Sequence, residues 1–205
     1  DLARHGLATS VADAAYISAL PDGGSLRLVS SANDAATVEA IRRLSPRDAE
    51  RWPEFVAFMH RASAFLDAAY ATTMPRLPQV DLRADGLPLA SLALKLRRMG
   101  GKDMFRVMRS LSMSAVEFTE EWFESEPLNA AIAGVAIHGV TLGSMSAGTG
   151  FTLIHNWLNR GGLAHRTTTG GPQGLTDALV KAVLANGGEI RTGAGVAQIL
   201  VEHQR

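Results

Sequence analysis

Cysteine is absent from this 205-residue sequence, which excludes disulfide scaffolds, cysteine nucleophiles and zinc–thiolate sites. The absence fits a reducing compartment, and we therefore expect a cytoplasmic location. An excess of either charge is lacking too, because 20 basic residues balance 20 acidic ones. Nucleic-acid-binding proteins typically carry a basic excess, so we expect no nucleic-acid partner.

Long hydrophobic runs are also missing, and none approaches the roughly 18 residues that a membrane-spanning helix needs. Hydrophobic residues nevertheless make up 46% of the sequence, which excludes a disordered chain. The length allows one domain with a sizeable core or two small domains. The sequence opens at Asp1 and closes just after an apparent strand, and we expect it to be the middle portion of a longer polypeptide.

Signatures of catalysis and of phosphate binding are absent as well. The glycine- and serine-rich stretch 143–150 lacks the Gly-Lys-Ser/Thr ending of a phosphate loop. The sequence contains no G-x-S-x-G nucleophile elbow and no pair of histidines, four residues apart around an acid, that would indicate zinc. The residues alone therefore assign no catalytic side chain and no metal site.

What the chain does contain predicts a mainly helical α+β fold with a β-hairpin and a few strands of a mixed sheet. Two alternating stretches, 15–19 and 26–30, flank the turn sequence Pro-Asp-Gly-Gly and predict the hairpin. Ser45 before Pro46 predicts the start of a long helix that reaches about Thr72. Other predicted features are helices over 34–44 (capped by Ser31 or Asn33), 89–99, 103–113, 114–123, 128–140 and 151–159, a loop over 74–88, and a break at Glu126-Pro127.

The segment 170–202 has the most specific pattern in the chain. Pro172 is suited to the first position of a helix, and apolar residues at helical spacing follow it. Asn186-Gly187-Gly188 predicts the end of this helix, since glycine takes the left-handed cap conformation without strain. Residues 189–191 and 196–201 are then predicted as two short strands separated by a glycine turn.

A family resemblance rests on the residues of this same segment. They are Gly170, Gly171, Leu175, Ala178, Leu179, Gly187, Gly188, Ile190, Gly195, Val196 and Ile199. In this pattern the segment resembles the central part of FAD-dependent phytoene desaturases and amine oxidases, and most of all the phytoene-dehydrogenase-related group. The rest of the chain resembles these proteins only loosely, and it lacks the G-x-G-x-x-G unit that binds the FAD pyrophosphate in complete members.

The resemblance implies that two parts of the chain have different functions. Residues 1–169 would be a helix-rich substrate-binding region, and 170–205 would return as helix, strand and strand to an FAD-binding domain outside this sequence. It implies that the backbone at Val196 lies against the adenine end of FAD and that the glycine pair Gly170 and Gly171 also contacts the cofactor. His155, Asn156 and His165 become the polar candidates for the substrate cavity, and the intact protein would remove hydride from an apolar or amine substrate.

A basic stretch near the middle of the chain is a candidate surface for binding a partner. The stretch 95–109 contains six Lys or Arg residues but a single acid, Asp103, among many apolar residues. Such a pattern is typical either of a solvated helix face or of a peripheral contact with anionic lipid, here through residues 89–111. An alternative to the enzyme hypothesis follows: a stand-alone, non-catalytic helical module that binds a lipid or a protein partner.

Overall fold

The computed structural model describes residues 1–11, 15–73, 86–163 and 166–200. These residues form a mainly helical α+β structure, as predicted, with helices in both of its compact units. The larger unit is built from residues 11–165, and the smaller one combines residues 1–10 with the chain from 166 onward. The division between 169 and 170 into a substrate region and a flavin-side segment concerns function and stays a prediction.

The predicted hairpin is confirmed in the larger unit. Strand β2 (Ala15–Ala19) pairs antiparallel with β3 (Ser25–Val29), and Ala19 lies opposite Ser25. The turn is closed by the amide of Leu20, which donates to the Gly24 carbonyl at 2.9 Å. Leu26 and Leu28 alternate with polar residues along β3 and are completely buried, so this face of the hairpin contributes to the core.

Two capped helices follow the hairpin. Helix α1 (Ala35–Leu44) is capped by Asp34, whose carboxylate accepts a 2.8 Å hydrogen bond from the amide of Thr37. The prediction of Ser31 or Asn33 as the cap was wrong, because it is the Asp34 carboxylate that reaches this free amide of the first turn. Helix α2 (Pro46–Tyr70) begins as predicted, with Ser45 capping the amide of Asp48.

The core of the larger unit is aromatic and is built around α2. Phe55 lies at the centre, with its ring 5.0 Å from that of Phe123 and 5.7 Å from that of Trp157. Both contacts are edge-to-face, the arrangement that aromatic quadrupoles favour. The apolar side of α2 therefore belongs to the core, and its fully buried residues are Trp52, Phe55, Val56, Phe58, Met59 and Ala62.

The remaining helices of this unit are α3 (Gly86–Arg98), α4 (Gly101–Ser110), α5 (Ala115–Glu120), α6 (Glu126–Ala136) and α7 (Thr149–Arg160). Most of the predicted loop, 74–85, lies outside the described residues, and its last three residues open α3 instead. The predicted break is present, because α5 ends at Glu120, and Glu126-Pro127 supplies the first two residues of α6. Proline is tolerated there because the first amides of a helix have no intrahelical partner.

The smaller unit contains a short 3-10 helix (Leu2–His5), strand β1 (Thr9–Val11) paired with β4 (Arg166–Thr168), and helix α8 (Gly171–Ala185). Pro172 is the second residue of α8, one place later than predicted, and the helix ends at Asn186 as expected. The two strands predicted at 189–191 and 196–201 are not formed within 188–200. A strand requires a hydrogen-bonded neighbour, and the described residues supply none for this segment.

Across the described ranges, no helix is both long enough and apolar enough to cross a bilayer.

Candidate functional site

The best-defined polar cluster in the larger unit centres on His155, a predicted substrate-cavity residue on α7. Its Nδ1 lies 2.7 Å from the hydroxyl oxygen of Tyr70, the last residue of α2. Its Nε2 lies 2.8 Å from the side-chain nitrogen of Asn159, one helical turn further along α7. The imidazole is therefore held at both nitrogens, and its orientation is fixed by two helices.

The two hydrogen bonds determine which nitrogen carries the proton. An amide nitrogen can only donate, so Asn159 donates to Nε2 and the neutral ring keeps its proton on Nδ1. Nδ1 then donates to the oxygen of Tyr70, whose own proton remains available to a further acceptor. Burial raises the pKa of the Tyr70 phenol above its usual value, because a phenolate is poorly solvated there. The tyrosine hydroxyl therefore stays protonated at neutral pH.

The cluster is accessible from solvent on one side. Tyr70 is 53% exposed, and His155 is half-buried between the rings of Tyr70 and Phe151. Both imidazole nitrogens are engaged in this arrangement, so the Tyr70 hydroxyl is the group left to donate a hydrogen bond at the open surface. Tyr70 could not be found from the sequence, because it lies 85 positions away from His155.

Asn156, the next residue on α7, is turned into the core. Its side-chain nitrogen lies 2.8 Å from the carbonyl oxygen of Val135, 3.2 Å from that of Ala136 and 3.0 Å from that of His138. These carbonyls lie in the last turn of α6 and just beyond it, where backbone acceptors lose the regular donors of a continuing helix. Asn156 thus ties α7 to the end of α6, and its predicted contact with substrate stays a prediction.

The third substrate-cavity candidate, His165, lies outside the described residues.

The cofactor candidates belong to the smaller unit. Gly170 caps α8 and Gly171 is its first residue, both with positive φ angles of 82° and 67°. Val196 is 80% exposed in the unpaired segment 188–200.

Gly171 and Val196 are both accessible for contact with a flat ring system. A Cβ added at Gly171 would meet no other atom within 4 Å, so the backbone there is open to a close approach. The exposed valine presents an uncovered apolar side chain. The sequence offers no glycine-rich pyrophosphate loop, so the phosphates of FAD would have to be held elsewhere. The roles of Gly170, Gly171 and Val196 stay predictions.

A cavity that the sequence did not indicate lies between α5 and α6. It has a volume of about 730 Å³ and an apolar floor that includes Val116, Ala133 and Ile137. Three carboxylates lie around it, those of Glu120, Glu124 and Glu126. Hydrogen bonds from Ser45 and Arg47 lower the pKa of Glu124, so this carboxylate stays charged. The described residues contain no group of three acidic or histidine side chains placed to hold a metal ion.

The basic stretch on α3 and α4 is less positive than its sequence suggests. Lys102 lies 3.0 Å from a carboxylate oxygen of Glu54, and Arg109 lies 2.6 Å from one of Glu121. Arg106 approaches Glu54 at 3.6 Å and stacks over the ring of Trp122. These acids come from other helices, so a count along the stretch alone could not include them. Half of its six basic side chains are thereby neutralised.

The chain matches no protein-family profile and no solved structure. It is 25% identical over 226 residues to pyridine nucleotide-disulfide oxidoreductase domain-containing protein 2 of Rattus norvegicus, and 27% identical over 219 residues to the protein of that name from Mus musculus. Each alignment covers the whole of this chain but only 37% of the relative. The chain is thus distantly related to a portion, little more than a third, of proteins named for an oxidoreductase domain.

Proposed function

We propose that this chain is the substrate-side portion of an FAD-dependent oxidoreductase. The observation that carries the proposal is the alignment of the entire chain with 37% of each of two proteins named for a pyridine nucleotide-disulfide oxidoreductase domain. The remaining length of such a protein is where a dinucleotide-binding domain would lie. The reaction proposed for the intact protein is removal of hydride from an apolar or amine substrate.

The surface of the smaller unit supports this assignment. Leu175, Leu179 and Val183 form a stripe along α8 and are each at least 41% exposed. Val196 and Ile199 are both 80% exposed in the segment without secondary structure. Clustered exposed apolar residues usually mark a surface that another part of the protein covers. A flavin-binding domain that pairs with 188–200 and packs on α8 would bury them.

The finer identity of the enzyme rests on the resemblance in segment 170–202. Its glycine pair, helix and Val196 resemble phytoene desaturases and amine oxidases, and we propose a reaction of that type. FAD, when bound, supplies the hydride acceptor. Val196, Gly170 and Gly171 would lie against it, and His155 would contact the substrate with Tyr70 holding its ring in place.

Native size and colour test the proposal together. The protein is purified from its source and separated by size exclusion while flavin absorbance is recorded. We expect a species much larger than the 21.8 kDa of this chain, with flavin absorbance in the same peak. A colourless species of the chain's own mass would overturn the proposal and favour the helical binding module.

A further inference from the structure

Helix α3 is unusual because it is rich in leucine and yet has no buried residue. Leu89, Leu92 and Leu96 are half-buried on one side of the helix. Leu87 and Leu94 lie on the other side, seven residues apart and so on one face, and are 81% and 46% exposed. Two faces of the helix are therefore apolar, and the described residues cover only one of them.

The last turn of α3 carries three cations at the edge of the exposed face. Arg98 continues the line of Leu87 and Leu94, while Lys95 and Arg97 flank that line on either side. All three are exposed, and within the described ranges no carboxylate pairs with any of them. This differs from α4, where the basic side chains are paired with acids.

A groove next to these cations adds an apolar recess. It has a volume of about 390 Å³ and lies between α2 and α3, with Ala64, Phe65, Ala68 and Met99 among its lining residues. Lys95 and Arg98 line the same groove. An apolar recess beside unpaired cations suits an acyl chain with an anionic headgroup, since long basic side chains can reach the headgroup while their stems cover apolar surface.

We propose that the exposed face of α3 docks on an anionic lipid bilayer. Leu87 and Leu94 enter the boundary between headgroups and acyl chains, and Lys95, Arg97 and Arg98 contact the anionic headgroups. An amphipathic helix with a basic polar edge binds membranes in this manner, lying in the plane of the interface. A bilayer supplies negative charge to all three cations, whereas a protein partner would need three matched carboxylates. This inference does not depend on the flavin function.

Flotation of the full chain with lipid vesicles tests the charge requirement. One set is phosphatidylcholine alone, and the other contains phosphatidylserine at about one part in four to give a negative surface. We expect binding to the anionic vesicles only. Replacement of Lys95, Arg97 and Arg98 by Gln should lower the partition coefficient roughly a hundredfold, since each cation near such a surface strengthens binding about fivefold.

A matched variant distinguishes a specific effect of the three α3 cations from a general effect of net charge. Arg4→Gln, Arg42→Gln and Arg43→Gln remove the same charge from exposed positions outside α3, and we expect the partition coefficient of this variant to stay within about twofold of the wild type, because none of these residues belongs to the proposed contact face. Equal losses for the two triple variants would overturn the proposal. So would an absence of binding, or equal binding to phosphatidylcholine alone.

A fluorescence probe tests insertion independently. In Leu94→Trp the new indole should shift its emission to shorter wavelength on addition of anionic vesicles, because it leaves water. Met145, which is 81% exposed and lies between α6 and α7, provides the control: Met145→Trp should show no shift. An unchanged spectrum for Leu94→Trp, or equal shifts at both positions, would contradict the proposed orientation.

Discussion

The hydroxyl oxygen of Tyr70 and Nδ1 of His155 lie 2.7 Å apart, although 85 positions separate the two residues in the sequence. This hydrogen bond joins the last residue of α2 to the middle of α7. With Asn159 holding Nε2, it fixes the imidazole in one tautomer and leaves the Tyr70 hydroxyl at an accessible surface.

A double-mutant cycle should detect this bond. Tyr70→Phe and His155→Ala are compared singly and together by urea unfolding. We expect a coupling free energy of about 0.5–1 kcal/mol, the usual net value of one hydrogen bond. Strictly additive effects would mean that the hydroxyl and the ring do not interact in solution.

Asn156 should matter for stability far more than Asn159 does. Asn156→Ala removes the buried side-chain amide that donates to three carbonyl oxygens around the end of α6, and we expect it to lower the free energy of unfolding by about 2–3 kcal/mol. Asn159 is exposed, so Asn159→Ala should cost less than about 1 kcal/mol. Denaturant titration measures both, and equal costs would contradict the role assigned to Asn156.

Two adjacent glycines should respond differently to alanine. Gly161 and Gly162 both have positive φ angles, 70° and 98°, so each substitution incurs backbone strain of about 1 kcal/mol. At Gly161 a Cβ meets no atom within 4 Å, whereas at Gly162 it collides with the side chain of Ser30. Gly162→Ala should therefore be at least about 1 kcal/mol more destabilising. Ser30→Gly in the Gly162→Ala background should restore part of that loss.

The cap of α1 should make stability depend on pH in the acidic range. Hydrogen bonds from the side chain and backbone of Thr37 lower the pKa of Asp34, as does the charge of Arg27. A carboxyl whose pKa is lowered on folding contributes stability above its unfolded pKa of about 3.9 and loses it as the pH falls through the folded value.

Asp34→Asn isolates that contribution, because asparagine caps helices about as well as aspartate. We expect the variant to be less stable than the wild type at pH 7, and the difference in urea midpoint to shrink towards zero near pH 2. A difference that does not change with pH would contradict the role of the Asp34 charge.

Local chemistry explains which parts of the fold the sequence could predict. The start of α2 at Ser45-Pro46, the end of α8 at Asn186 and the 15–29 hairpin each depend on capping or turn residues adjacent to the element. The strands predicted in 188–200 depend instead on a neighbour that the described residues do not supply. The described residues alone therefore do not form these strands.

The candidate site shows the same limit. His155 was reached through a resemblance, but its partner Tyr70 comes from a distant helix and has no sequence signature. The acids Glu54 and Glu121, which neutralise Lys102 and Arg109, are likewise brought in by tertiary packing. Pairs at such separations depend on how the helices pack, and local sequence patterns do not reveal them.

Flavin retention at Val196 tests the central claim most directly. In the intact protein, Val196→Asp would bury a charge against the adenine ring proposed to lie there, and we expect flavin affinity to fall at least about tenfold. Thr192→Asp adds the same charge at an exposed position before the predicted strand 196–201 and should leave the flavin-to-protein absorbance ratio unchanged. A ratio that stays at the wild-type value in Val196→Asp, or an intact protein without flavin, would contradict the account.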